Sequence, residues 1–508
     1  MRLKTVPTAS HILGHFSSRW LRAGPSSGHG CRSFSSSSWK LSNERKWSTP
    51  LAKQLYEAIS TTGPVPLASY MRMCLTGDVG GYYSGAIGQS RDQFGTKGDF
   101  ITSPEISQIF GELIGIWLVA EWTSQGRPER GVQIIEVGPG RGTLMNDVLR
   151  TIQRFPPMAN AVESIFMVEA SRELREAQRR LLCEPVTPAN VSEVGHGGTS
   201  KHLGKPIVWT ETMKSIPKES DKVPFILAHE FFDALPIHSF QSAPASPASV
   251  SPEPLPESRS SQTQKSDDDS RLAMEWREMM VSPTPPAAIK PTSTSSTASG
   301  KDDPDPEFQL TLSSGTTRHS RYLPDSSPRY RGLKQTRDAV VEICPDASLF
   351  AADFSQRIGG STKHPKANPS GAALIIDYGT SNTVPINSLR GIRHHRLVNP
   401  LSLPGLVDLS ADVDFTAIAE SATLASDGVE VHGPVSQGDF LEHMGIRERA
   451  NMLTKVVSKD VAENIDKSWK RLVDRGPNGM GRVYKVLAIL PENDGRRRPV
   501  GFGGDVGT

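Results

Sequence analysis

The stretch IIEVGPGRGTL, from Ile134 to Leu144, decides the fold. Its apolar start predicts a buried strand, after which Gly138, Gly140 and Gly142 follow at alternate positions. Glycine lets the chain turn sharply and approach a ligand closely, and the start of the next helix offers free N–H groups to an anionic group. We therefore predict a ligand-binding turn between a strand and a helix.

Short apolar runs and helical patterns alternate along the rest of the chain. Strands are predicted over 132–137, 164–170, 206–211, 224–230, 372–379 and 482–490, and helices over 104–122 (with Ser103 as the N-cap), 143–155, 172–182 and most of 339–358. Continuous apolar strands separated by helices indicate a parallel sheet with both faces covered. The predicted fold class is α/β, with a Rossmann-like, doubly wound and mostly parallel sheet.

Composition divides the 508 residues further. Residues 1–45 are basic and serine-rich, with no Asp or Glu before Glu44, which is typical of a mitochondrial transit peptide. We predict six segments: the transit peptide at 1–45, an N-terminal helical subdomain at 46–130, the first part of the main domain at 131–240, a Ser/Pro-rich insertion at 241–336, the second part of the main domain at 337–490, and an unfolded tail at 491–508.

The insertion has too little apolar content to offset the entropy of ordering, so most of it is predicted to be disordered. Two islands, 271–281 and 307–315, alternate like strands and could pair as a hairpin closed by a long loop. We expect the insertion to affect solubility more than chemistry.

Charge and cysteine usage exclude several classes of protein. A formal net charge of +2 gives no argument for a nucleic-acid partner, and no apolar run is long enough for a membrane span. The four cysteines form no CxxC pair, and His229-Glu230 is followed by Asp233 where HExxH needs a second histidine. We predict neither a disulfide framework nor a metal site.

The spacing of the glycines discriminates among cofactors. Dinucleotide sites prefer GxGxxG, whereas here the third glycine comes one residue early and Glu136 precedes the first by two. This pattern resembles motif I of class I methyltransferases. Their cofactor, S-adenosylmethionine, has an ammonium that suits Glu136, a carboxylate that suits backbone N–H groups, and a ribose whose hydroxyls suit Glu169 at the end of the second strand.

A second stretch that contains candidate reactive residues is ILAHEFFDALPIHSF, residues 226–240. Glu230 and Asp233 follow the fourth strand, and ligands of open α/β sheets lie beyond the carboxyl ends of the strands. We expect these two acids to face the acceptor, although a capping or solvated role is an equal alternative for each.

Five motifs in order resemble the mitochondrial MidA-like family of protein-arginine methyltransferases, assembly factors of respiratory complex I. They are GDFITSPEISQIFGE, EVGPGRGTL, HEFFDALP, LVNPLSLPGLVDLSADVDFTAI and HGPVSQGDFLEHMGI, within residues 50–240 and 337–490. The resemblance implies methyl transfer from S-adenosylmethionine to an arginine of a quinone-module core subunit, early in complex I assembly and in the mitochondrial matrix. Ser410 stands where the family pattern leads us to expect threonine.

The residues suit such a reaction, because one or two carboxylates can hold a guanidinium by bidentate bonds and align its reacting nitrogen. We therefore predict that Glu230 and Asp233 form this clamp. Three alternatives stay open at this point: a small-molecule methyltransferase, a non-enzymatic assembly chaperone with the same fold, and an NAD-dependent oxidoreductase. The exact acceptor arginine and the oligomeric state do not follow from the sequence.

Overall fold

The structure is a computed structural model, and it describes residues 46–84, 98–99, 101–184, 190–191, 195–245, 273–285, 305–477 and 479–503. The chain from Trp47 onward forms one compact unit. The predicted transit peptide lies outside the described residues. Within the described ranges, every helix is too short or too polar to cross a bilayer.

The helices and strands alternate through most of the chain. The helices are α1 (Pro50–Thr62), α2 (Leu67–Thr76), α3 (Ser103–Ile106), α4 (Gln108–Ser124), α5 (Thr143–Ile152), α6 (Pro156–Ala161), α7 (Arg172–Leu182), α8 (Arg318–Tyr322), α9 (Pro328–Arg331), α10 (Pro345–Gly359), α11 (Phe415–Ala425), α12 (Gln437–His443), α13 (Ile446–Thr454) and α14 (Lys459–Val473). The strands are β1 (Val65–Pro66), β2 (Val132–Val137), β3 (Val162–Val168), β4 (Asn190–Val191), β5 (His196–Thr199), β6 (Pro206–Thr210), β7 (Val223–His229), β8 (His238–Pro244), β9 (Met274–Pro283), β10 (Phe308–Leu312), β11 (Val340–Ile343), β12 (Ala372–Thr380), β13 (Arg390–Arg393), β14 (Arg396–Val398), β15 (Asp408–Ser410), β16 (Val413–Asp414), β17 (Val429–Ser436) and β18 (Tyr484–Pro491).

The main sheet has the order β17-β18-β12-β7-β2-β3-β6-β5-β4, with β16 paired to the end of β12. Strands β12, β7, β2, β3 and β6 are parallel, and β18 runs antiparallel between β12 and β17. Chain order therefore reverses between β2 and β7. The predicted doubly wound, mostly parallel sheet is confirmed.

Helices cover both faces of this sheet, which explains its continuous apolar strands. Every residue of β2 is buried, and so is every residue of β7. On one face the core includes side chains of α4, α5 and α14, such as Trp117, Leu149 and Trp469. On the other face it includes side chains of α10 and α11, such as Phe354 and Phe415.

A second, antiparallel sheet has the order β1-β9-β8-β11, with β10 paired to β9. The predicted hairpin of the two insertion islands is confirmed, because Phe308 pairs with Pro283 and Leu312 with Met279. The hairpin is not isolated, however, since β9 also pairs with β8 and β1. A small third sheet has the order β14-β13-β15.

Two segments that the sequence predicts as helical are divided in the structure. The helix predicted over 104–122 is two helices, because Ser107 adopts an extended conformation, and its hydroxyl caps α4. The segment 339–358 begins as β11 and becomes helical only at Pro345, the first residue of α10. Proline is favoured in the first turn of a helix, which explains this boundary.

The N-terminal helical subdomain predicted over 46–130 does not form one layer. Helices α1 and α2 pack with β9 and β10 of the second sheet, whereas α4 packs against α5 on the main sheet. The predicted subdomain is therefore divided between the second sheet and the main sheet.

The insertion and the tail are also more ordered than predicted. Residues 305–336 contain β10, α8 and α9, and Tyr330 of α9 is buried in a small core with Trp276 and Phe240. In the tail, Arg497 pairs with Glu121, and the Trp117 indole donates to Val500 O at 3.1 Å. The remaining parts of the insertion, 246–272 and 286–304, lie outside the described residues.

Candidate functional site

The carboxyl ends of β2, β3 and β7 open into a cavity of about 520 Å³. We call it the first cavity. It is lined by residues from the glycine turn, by Glu169 after β3, and by His229, Glu230 and Phe231 at the end of β7. Open α/β sheets bind ligands where the strand order reverses, and this cavity lies at that reversal.

The glycine turn needs glycine for its backbone conformation. The φ angles of Gly138, Gly140 and Gly142 are 63°, 52° and 85°. Side chains would be strained at these angles, and a Cβ on Gly138 would lie 2.6 Å from Cδ2 of Phe231. The Gln178 side-chain amide donates to Gly140 O at 2.6 Å, which ties the turn to α7.

Two buried acids line the first cavity. Glu136 is 2% exposed and Glu169 is 8% exposed. The Glu136 Oε2 atom has no hydrogen-bond partner among the described residues, whereas Glu169 Oε1 accepts from Ser171 N at 2.8 Å. Burial, and then the charge of Glu169, raises the pKa of Glu136 to about 8, and burial raises the pKa of Glu169 to about 7.

This arrangement fits the cofactor that the sequence predicts. An unpartnered, buried carboxylate is costly unless a positive group joins it, and an ammonium would satisfy Glu136. A carboxylate with a free lone pair at a strand end, such as that of Glu169, can accept from ribose hydroxyls. Positive φ angles through the turn leave room for a ligand to approach the backbone.

The turn after β7 is held by a carboxylate from the neighbouring strand. Asp377 in the second half of β12 is fully buried, and its Oδ2 accepts from the backbone N–H groups of Phe231, Phe232 and Asp233 at 3.1, 2.8 and 3.3 Å. Glu230 itself has a φ of 49°, which is unusual for a residue with a side chain. Asp377 therefore stabilises a strained turn that positions Glu230.

The position of Glu230 opposes its ionisation, although hydrogen bonds from Ser103 N–H and Tyr484 act in the other direction. Burial, and then the charge of Asp233, raises its pKa well above the ordinary value. His229 Nε2 lies 3.3 Å from Glu230 Oε1, but burial lowers the His229 pKa to about 3, so this contact joins a neutral imidazole to the carboxyl group. The Glu230 Oε1 atom has no hydrogen-bond partner among the described residues.

A second cavity of about 290 Å³ shares Glu230 with the first. Glu230 and Tyr83 line both cavities, whereas Asp233 lines only the second. The polar residues of the second cavity are Tyr83, Glu230, Asp233, Tyr378, Arg390, Asp408, Asp412 and Tyr484. The structure thus brings Glu136, Gly138, Gly140 and Glu169 together in the first cavity and places Asp233 in the second. Gly142 lines neither cavity, and a Cβ on it would lie 3.2 Å from Gln178 Cγ of α7.

The sequence analysis did not predict most residues of this second cavity. It also missed Asp377, which holds the turn after β7, although an acid in the otherwise apolar strand AALIIDYG is a signal of a special role. Asp408 lies in one of the five motifs, but nothing local marked its side chain as functional. Tyr83, Tyr378 and Tyr484 come from segments far apart in the chain, and no spacing connects them.

One group of possible metal ligands lies on the second sheet, where the sequence predicted none. His238, Glu278 and His319 bring their ligand atoms within 4.8 Å of one another. Hydrogen bonds account for the group, since Glu278 contacts His238 Nδ1 at 2.8 Å and accepts from the Thr317 hydroxyl at 2.5 Å. These residues line neither of the two cavities described above.

Comparison with known proteins identifies the family of the chain. A family described as "Putative S-adenosyl-L-methionine-dependent methyltransferase" matches residues 113–435. A rat and a human protein, each named "Protein arginine methyltransferase NDUFAF7, mitochondrial", are both 34% identical over 448 residues, which is 87% of this chain and 85% and 84% of theirs. A Drosophila melanogaster homologue is 34% identical over 443 residues, covering 87% of this chain and 85% of its own.

A solved structure supports the fold. A Burkholderia thailandensis protein, crystallised with S-adenosyl-homocysteine, superimposes with a TM-score of 0.59 and 21% identity, covering 89% of this chain and 92% of its own. The family match spans more than half of the chain, and the relatives match along nearly their whole length. The chain therefore belongs to this family of S-adenosylmethionine-dependent methyltransferases, with S-adenosylmethionine as its cofactor.

Proposed function

We propose that this enzyme methylates an arginine of a protein, and that the protein is a core subunit of the quinone module of mitochondrial complex I, modified in the matrix during assembly. The names of the relatives and the five sequence motifs support an arginine acceptor. The observation that carries the proposal is the position of Glu230, a carboxylate on the border between the first cavity and an acidic second cavity.

In this proposal the first cavity holds the cofactor. Glu136 pairs with its ammonium, the backbone at Gly138, Gly140 and Gly142 approaches its carboxylate end, and Glu169 accepts from the ribose hydroxyls. Bound S-adenosylmethionine supplies a methyl group on a sulfonium, which leaves as a neutral thioether. The support is the unpartnered Oε2 of Glu136 and the positive φ angles of the turn.

Glu230 and Asp233 hold the guanidinium of the acceptor in the second cavity. A guanidinium is protonated at any cellular pH, so its charge offsets the repulsion between these two acids and keeps them ionised. Charge-assisted hydrogen bonds then fix the reacting nitrogen toward the first cavity. When the new N–C bond forms, the nitrogen loses a proton, and the Glu230 carboxylate is placed to accept it.

The substitution Glu230→Gln tests this role. We expect turnover with an arginine-containing acceptor to fall about 100-fold, since general-base and positioning groups typically contribute 10²–10⁴-fold. Binding of S-adenosyl-homocysteine should stay within about threefold of wild type, because only one wall of the first cavity changes. Initial rates and calorimetry measure the two effects separately.

The matched control is Glu342→Gln. Glu342 is also a buried acid, hydrogen-bonded by Ser388, but it lines neither cavity. It should retain wild-type turnover. Near-normal turnover of Glu230→Gln would remove Glu230 from the mechanism, and unchanged arginine methylation of complex I subunits after gene deletion, by mass spectrometry, would remove the proposed substrate.

A further inference from the structure

The second cavity contains charged residues beyond Glu230 and Asp233, the two acids of the proposed clamp. Four acids line it, and Arg390 is the only basic residue of its lining within the described chain. The Arg390 guanidinium is already paired with Asp412 Oδ1 at 2.7 Å. The cavity therefore carries a surplus of carboxylates, and a cationic group would relieve it.

Asp408 is the most enclosed of the remaining acids. It begins β15, is 6% exposed, and its Oδ1 accepts from the Tyr83 hydroxyl at 3.0 Å. Burial, and then the charge of Asp233, raises its pKa to about 7. A buried acid that lines a cavity together with other acids destabilises the empty protein, which suits a ligand-binding carboxylate better than a purely structural one.

Tyr83 fixes the direction of this carboxylate. Its hydroxyl donates to Asp408, and the residue lines both cavities. Asp408 is thereby held by the same residue that borders the cofactor side. A flat group extending from Glu230 into the second cavity can contact Asp408 with its other edge.

The geometry of the cavity favours a guanidinium over an ammonium. A guanidinium has five donors in one plane and stacks on aromatic rings, whereas an ammonium is a compact point charge. The chain supplies its own example, because the Arg390 guanidinium carbon lies 4.4 Å from the centre of the Tyr378 ring while the group pairs with Asp412. A planar fork of five donors can bind two carboxylates that lie farther apart than the three donors on a single ammonium nitrogen can reach.

We propose that Asp408 is a specificity-determining residue for the acceptor, which selects arginine over lysine by binding the edge of the guanidinium that Glu230 leaves free, and that Tyr83 is its positioning residue. This inference rests on the proposed function. It adds a third carboxylate, from a segment more than 170 residues away from Glu230, to the acceptor site.

The test compares Asp408→Asn with wild type in the full chain saturated with S-adenosyl-homocysteine. The probes are two short peptides that differ only in a central arginine or lysine, and calorimetry measures their dissociation constants. Wild type should bind the arginine peptide at least about tenfold more tightly. Asp408→Asn should weaken arginine binding roughly 10- to 100-fold, as expected for the loss of a charged hydrogen bond, and leave lysine binding unchanged.

Two further variants separate selection from general damage. Tyr83→Phe keeps the ring and should raise the KM for the arginine peptide several-fold while kcat stays near wild type, since it only frees Asp408 to rotate. Glu342→Gln, the buried acid outside both cavities, should behave as wild type. Binding of S-adenosyl-homocysteine within about twofold of wild type in each variant confirms that the fold is intact.

The outcomes distinguish this inference from the function on which it rests. If wild type methylates and prefers the arginine peptide but Asp408→Asn keeps the same preference, the role of Asp408 is wrong and the proposed function stands. If wild type binds S-adenosyl-homocysteine but shows no preference for arginine, both the arginine acceptor and the selection by Asp408 are wrong.

Discussion

The two cavities that meet at Glu230 are built in opposite ways. The first takes its turn and one acid from a single stretch, residues 136–142, and a second acid from the end of the next strand. The second takes its polar groups from segments around residues 83, 230, 378, 390, 408 and 484. A cofactor common to a whole family can be held by a local motif, whereas the acceptor site depends on which distant loops the fold brings together.

The largest expected effect concerns the local motif. Gly138→Val should abolish binding of S-adenosyl-homocysteine, by more than about 100-fold, because a side chain at a φ of 63° is strained and its Cβ would meet Phe231 Cδ2 at 2.6 Å. Calorimetry on the purified variant measures the loss.

The matched control for this prediction is Gly126→Val. Gly126 has a φ of 85°, but nothing lies within 4 Å of an added Cβ, and it lines neither cavity. This variant should lose about 1 kcal/mol of stability from backbone strain and still bind the cofactor product. If both variants bind equally well, close packing at Gly138 does not shape the first cavity.

A smaller effect tests whether the two cavities bind their ligands independently. Glu169→Gln should weaken binding of S-adenosyl-homocysteine about tenfold, since one charged acceptor of hydrogen bonds becomes neutral. The KM for the acceptor should stay near wild type, because Glu169 lines only the first cavity. Initial rates at varied concentrations of each substrate measure both constants, and an equal change in both would contradict the separation.

The smallest expected effect is a pH dependence of the ligand-free protein. The pKa of Glu136 is raised to about 8 in the folded chain, above the unfolded value of about 4.3, so the folded state holds a proton that the unfolded state releases. Stability should therefore fall as pH rises between these values and level off above pH 8.

Glu136→Gln should reduce this slope and raise the free energy of unfolding at pH 8.5 by on the order of 1–3 kcal/mol. Urea unfolding at several pH values measures it. At pH 4 the glutamate is protonated, so the variant and wild type should have nearly equal stability there. An unchanged slope would mean that the pKa of Glu136 is not raised in the folded protein.

Much of the main sheet was predictable because its signals are local. Strand β2 and helix α7 begin and end at the predicted residues, and the parallel core follows from buried apolar runs. The spacing of the three glycines, together with Glu136 and Glu169, favoured S-adenosylmethionine over a dinucleotide, and the family match confirms that cofactor. The predicted roles of Glu230 and Asp233 remain proposals, although both residues line the second cavity.

The errors have a common cause, which is that burial by distant segments is invisible in a local pattern. The tail looked unfolded, yet Arg497 is 13% exposed and pairs with both Glu121 and Glu430. Residues 316–336 looked too polar to order, yet Arg329 and Tyr330 both hydrogen-bond to Asp414. These contacts with distant residues stabilise the two segments, although few residues within the segments could do so.

The sequence alone determined the parallel sheet, the glycine turn and the cofactor class, because periodicity, positive φ and short-range spacing act within a few residues. The tertiary structure decided where the acids point. Asp377 holds the turn after β7, Tyr83 orients Asp408, and both contacts join residues that are more than 140 positions apart. The ionisation state of a buried acid depends on the groups around it, and those groups come together only once the chain has folded.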